Sequence, residues 1–99
     1  MACTSTGIDE RIIEWKEGNY ANGCEFPGND LTQIQSRGEE CGSLCDRRYE
    51  CTHYTWYPVN NGTCFLKTGP VRRSNAIPTQ DLSMSCGLTN SNIKDQNDI

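Results

Sequence analysis

Cysteine and histidine offer the most chemistry in this sequence. Seven cysteines and a single histidine occur in 99 residues. Three chemistries compete for them: a zinc site, a thiolate nucleophile and a disulfide framework. Zinc sites pair short spacings, such as Cys-x2-Cys twice or with His-x3-His. Here Cys41, Cys45, Cys51 and Cys64 are separated by x3, x5 and x12, with only His53 beside them. A nucleophile would need a free thiol near a base. Cys51 and His53 are two apart and would face one side of a strand, but a bridged cysteine is not a nucleophile. No Gly-x-Ser-x-Gly run or similar motif occurs, and the carboxylates are scattered without an evident acid–base pair. The reading is therefore a disulfide framework with no metal, no cofactor and no catalysis, and His53 as a partly exposed sheet residue.

The framework must be held by elements that can be read from Glu39 to Lys67. Cys41 and Cys45 project from one helical face. Ser36 is placed to cap this helix, with Glu39 as capping-box partner, so the helix is expected over Ser36–Arg48. Cys51–Tyr57 is rich in strand formers and ends at Pro58. Asn60-Asn61-Gly62 signals a tight turn, and Thr63–Lys67 is the return strand. Upstream, Ile12–Trp15 alternates as a short strand, Gly18–Cys24 reads as loop, and Cys24–Phe26 and Leu31–Ile34 as strands around a turn at Pro27–Asp30. Downstream, Val71–Ile77 reads as loop or edge strand and Asp81–Leu88 as a closing strand. Residues 1–9 are expected to be a flexible segment and 89–99 a polar tail, leaving one domain over 10–88.

Composition agrees with a stapled domain. Only 34% of residues are hydrophobic. A chain this size buries roughly 60–65% of its unfolded surface, so a thin core needs cross-links. The cysteine density points to a secreted or extracellular protein. A net charge of −4 argues against a nucleic-acid partner. No apolar run approaches the ~20 residues of a membrane span. Met1-Ala2 reads as the start of a mature fragment without its leader.

Six cysteines allow fifteen pairings, and spacing alone does not choose among them. Helix geometry narrows the choice. Cys45 at the helix end lies near Cys51 at the next strand's start. Cys41, one turn back, can reach Cys64 on the return strand. Cys24 and Cys86 are then left to join the early and late strands. Cys3 stands outside this nested set, as an unpaired thiol or an intermolecular bond.

Cys24-x-Phe26-x-Gly28-x-Asp30-Leu31, then Cys41-x3-Cys45-x5-Cys51-x2-Tyr54, then Cys64-x-Leu66-Lys67, resembles the PAN/apple domain family over about residues 10–88. The resemblance implies a small disulfide-rich α+β fold, an antiparallel sheet of about five strands cradling one α-helix, with nested bridges matching those above. It also implies adhesion: modules that bind carbohydrate or protein and do not catalyse. Cys3 departs from the family's usual six.

Several side chains are candidates for such binding. Tyr54, Trp56 and Tyr57 share a strand, with Phe65 opposite; Tyr54 and Phe65 read as core, where large aromatics dominate burial. Trp56 and Tyr57, beside the turn, are candidates for an exposed stacking platform, flanked by Asn60, Asn61 and Asp46. Trp15 and Tyr20 form a second pair. Arg47, Arg48, Lys67, Arg72 and Arg73 could gather as a patch for an anionic ligand, though solvated helix-end charges explain them as well. Asn61-Gly62-Thr63 is a glycosylation sequon. The expected partner is an extracellular glycan or glycoprotein. The alternative is a structural subunit that self-associates, with Cys3 as a covalent link.

Overall fold

The structure, a computed structural model, describes residues 12–17 and 19–89. Cys3 and the two terminal segments lie outside the described residues. Among the described residues seven strands and one α-helix follow in order: β1 (Tyr20–Asn22), β2 (Cys24–Glu25), β3 (Asp30–Gln35), α1 (Gly38–Arg47), β4 (His53–Tyr57), β5 (Thr63–Lys67), β6 (Ile77–Pro78) and β7 (Ser85–Leu88). Five strands form one antiparallel sheet in the order β1-β7-β4-β5-β3. β2 and β6 form a separate two-stranded ribbon. This is the small disulfide-rich α+β fold expected, with α1 lying on the sheet.

Alternation along β4 divides the core between the two faces of the sheet. Tyr54 and Trp56 point to the helix side and pack with Cys41, Cys45, Cys51, Cys64 and Leu66. On the opposite side, the His53 ring meets Phe26 edge-on, with centroids 5.0 Å apart. There Phe26, Ala21, Cys24, Val71, Cys86 and Leu88 make a second cluster. The backbone N–H of Phe26 donates to Thr55 Oγ1 at 2.8 Å, anchoring the segment after β2 to mid-sheet.

Three bridges hold these layers. Cys24–Cys86 ties the ribbon to β7, Cys41–Cys64 ties α1 to β5, and Cys45–Cys51 ties the helix end to the approach to β4. α1 depends on them. It has only ten residues, near the length at which isolated helices fail, and contains Gly38 and Gly42, each costing about 1 kcal/mol relative to alanine. The glycines have a packing reason. A Cβ at Gly38 would meet the Trp56 ring at 3.4 Å, and one at Gly42 the Tyr54 hydroxyl at 3.2 Å.

Local details differ from expectation. Ile12–Trp15 is not a strand: Ile13 and Trp15 pack against the second cluster without joining a ladder. The edge strand is instead β1, inside the stretch read as loop. The helix starts one residue late, with Arg37 as N-cap and the Arg37 N–H donating to Glu40 Oε1 at 3.2 Å. Ser36 is buried, and its hydroxyl donates to the Arg37 carbonyl, so neither Ser36 nor Glu39 forms the capping box. The closing strand shrinks to Ser85–Leu88. Leu82 is exposed, and Asp81 accepts hydrogen bonds from the Ser83 N–H and hydroxyl in a turn that precedes the strand. A 3-10 turn at Val59–Asn61 joins β4 to β5, with positive φ at Asn60, Asn61 and Gly62.

Candidate functional site

A groove of about 530 Å³ runs between α1 and the β1–β7 edge of the sheet. Strand alternation places Tyr20 and Asn22 of β1 on it, while the intervening Ala21 goes to the core. Gly38 and Gly42 let the helix approach the ring faces of Trp56 and Tyr54 and leave the channel open beside them. Asn19 adds a second amide, and Ser43, Ser83 and Ser85 bring hydroxyls. The lining carboxylates are Glu17, Glu39 and Asp46, and among the described residues no lysine or arginine lines the groove.

Tyr54 is the central side chain. Its residue is only 7% exposed, yet its hydroxyl makes no hydrogen bond among the described residues and opens on the groove. β4 pairs Tyr54 with Gly87 of β7, and a Cβ at Gly87 would stand 2.4 Å from that hydroxyl. Glycine is thus required there by close approach. Burial, then the nearby Asp46 charge and Tyr20, push the Tyr54 phenol up to about 12. It remains a neutral donor and acceptor throughout the physiological range.

Trp56 is half-buried and holds structure as well as lining the groove. Its Nε1–H donates to the Ser36 carbonyl at 2.9 Å, fastening the hairpin to the helix entry. It is therefore less of a free platform than the sequence suggested. Tyr57 lies on the other face, edge-on to Phe65 at 5.2 Å, and its hydroxyl donates to Glu25 at 2.8 Å. Burial and that bond raise the Tyr57 phenol to about 12. Phe65 follows Tyr57 and is half-buried, so it does not join Tyr54 in the helix-side core. Trp15 and Tyr20 are not a pair: Trp15 packs near Phe26, with centroids 6.4 Å apart, and Tyr20 lines the groove.

The basic patch loses a member. Lys67 is 4% exposed, and its Nζ donates to the Gly28 carbonyl at 3.0 Å and to the Asp30 carboxylate. It is an internal strut, because the β5 alternation turns it under the Pro27–Asp30 turn. Arg48 pairs with Glu50 at 3.4 Å, Arg47 ends α1, and Arg72 and Arg73 open a separate 3-10 turn. Asn60 and Asn61 are exposed in the hairpin turn, where with Gln33 and Gln35 they edge a shallower hollow of about 380 Å³.

His53 is not partly exposed as expected. It is 2% exposed. The Thr52 hydroxyl donates to the Gly69 carbonyl at 2.7 Å and lies 2.8 Å from His53 Nδ1. A hydroxyl has one proton to give, so Nδ1–H is the donor to Thr52 Oγ1. Burial and the Lys67 charge lower its pKa to about 4. Among the described residues no three His, Cys, Asp or Glu side chains gather as a metal site. None of the described helices is long and apolar enough to cross a membrane.

The groove was only partly visible beforehand. Tyr20, Trp56 and Asp46 were candidates, whereas Asn19, Asn22, Ser85 and the glycines were not. The available signals were Gly38-x3-Gly42 on one helical face and the Tyr20–Asn22 alternation. Comparison with protein-family models, curated proteins and solved structures returned no match.

Proposed function

We propose that this chain is an extracellular, non-catalytic binding module of PAN/apple type, and that it takes carbohydrate in the groove between α1 and the β1–β7 edge. The observation that carries the reading is the lining itself: aromatic rings of Tyr20, Tyr54 and Trp56 beside amides, hydroxyls and carboxylates. Sugars offer apolar C–H faces that stack on rings and hydroxyls that need both donors and acceptors; such sites combine an apolar wall with a few convergent polar groups. Three bridges are compatible with an extracellular setting. The nested bridges and the helix on a five-stranded sheet support the family reading.

The test is a glycan-array screen of the oxidised chain with Tyr20→Ala alongside. Tyr20 suits this better than Trp56, which also fastens the helix entry. Binding of a defined glycan that is lost in Tyr20→Ala supports the reading. No binding across the array, or binding untouched by Tyr20→Ala, overturns it and turns attention to a protein partner or to self-association.

A further inference from the structure

The groove's charge is one-sided, and this narrows the ligand. Glu39 is partly engaged by Arg37, whose Nη1 lies 3.7 Å away. Asp46 makes no ion pair or hydrogen bond among the described residues, and it stands close enough to the Tyr54 phenol to act on it electrostatically. The Tyr54 hydroxyl lines the same channel; its residue is more than nine-tenths buried, and the hydroxyl has no protein partner among the described residues. The hydroxyl is open to the channel, so it is free to give or accept a hydrogen bond from a ligand there. A carboxylate beside tyrosine and tryptophan rings is also a setting that attracts an ammonium group, through charge and through the ring faces. Among the described residues an anionic sugar would meet three carboxylates and no base.

We propose that the groove selects an amino sugar, a hexosamine bearing a free ammonium, with that ammonium on Asp46 and a neighbouring sugar hydroxyl on the Tyr54 hydroxyl. The proposal rests on the carbohydrate reading above and specifies its ligand class. Asp46 supplies the charge. Tyr54, acting as donor or acceptor, fixes the sugar's orientation. Tyr20 and Trp56 supply the ring walls. N-acetylation of the amine removes the positive charge that Asp46 reads and so weakens binding.

The experiment is calorimetric titration of the full oxidised chain with two oligosaccharides, a glucosamine tetramer and its fully N-acetylated counterpart, at pH 6 and pH 9. An oligolysine peptide is run in parallel. The glucosamine tetramer is expected to bind roughly tenfold or more tightly than the acetylated one at pH 6, a preference of the size one charge-assisted contact beside aromatic rings supplies. That preference should disappear at pH 9, where the amine is neutral, and in Asp46→Asn at pH 6. Asp46 is exposed, so this variant should fold, and its melting curve checks that it does. Equal affinity for the two tetramers overturns the ammonium assignment and leaves a neutral-sugar site. Binding of oligolysine without either tetramer overturns both this inference and the carbohydrate reading. Binding of none of the three overturns the ammonium assignment alone, and the glycan array then decides the wider reading.

Discussion

Acid should weaken this fold through one side chain. His53 is the only histidine, and in the folded state it is held neutral with a pKa of about 4, against 6.5 when unfolded. Between those values the unfolded chain binds a proton that the folded chain does not. Stability is therefore greatest above pH 6.5, falls as pH drops towards 4, and loses nothing more to this group below that. At 1.36 kcal/mol for each pH unit, the gap amounts to a loss of about 3 kcal/mol. That is a large fraction of a small domain's stability. The other groups with lowered values, Glu40 and Asp81, are exposed carboxylates that titrate at more acidic pH. Urea unfolding of the oxidised protein at pH 7, 6, 5 and 4 measures the loss. A proton NMR titration reads the single imidazole directly. A His53→Gln variant should lose most of the slope between pH 6.5 and 4.5. An imidazole midpoint near 6.5, or a flat stability over that interval, would refute the reasoning.

The bridges should differ in worth. They close loops of 62, 23 and 6 residues. On chain entropy, replacing the paired cysteines by serine should cost about 4, 3 and 2 kcal/mol for Cys24–Cys86, Cys41–Cys64 and Cys45–Cys51 respectively, read by denaturant unfolding. The reverse order would show that native packing decides instead. Gly62→Ala should destabilise by about 2–4 kcal/mol, because φ is 101° there and a Cβ would stand 2.3 Å from the Ser36 carbonyl; a thermal melt within 2 °C of wild type would contradict this. Asp30→Ala strands the buried Lys67 ammonium and should cost about 2–3 kcal/mol. Adding Lys67→Met should recover part of that loss, and a double-mutant cycle with no coupling would contradict the strut.

Much of the fold was legible because cysteines at helical spacing, strand formers and turn residues agreed with one another between Ser36 and Lys67. The helix and the β4–β5 hairpin followed from that agreement, while the five-stranded sheet was what the family resemblance implied. The flanks misled because their alternation served packing without a ladder at Ile13 and Trp15. A three-residue edge strand such as β1 has too few residues to show a period. The site was less visible for a different reason. Lys67 reads as a surface base, but β5 alternation turns its ammonium onto Gly28 and Asp30. His53 and Tyr54 are neighbours in sequence, yet one is buried against Phe26 and the other opens on the groove. Which face of a sheet is covered by what depends on long-range topology, and local spacing does not encode it. The groove itself joins Tyr20, Asp46, Tyr54 and Ser85, which only the β1-β7-β4 order and the packing of α1 on the sheet bring together.

The most direct measurement is amide chemical-shift mapping of the oxidised, isotope-labelled chain titrated with the glucosamine tetramer. Perturbations confined to Asn19–Asn22, Gly38–Asp46, Tyr54–Trp56 and Ser83–Ser85 are the expected result. Perturbations centred on Gln33, Gln35 and the Asn60–Asn61 turn, or on Arg72 and Arg73, would contradict the assignment of the groove as the binding site.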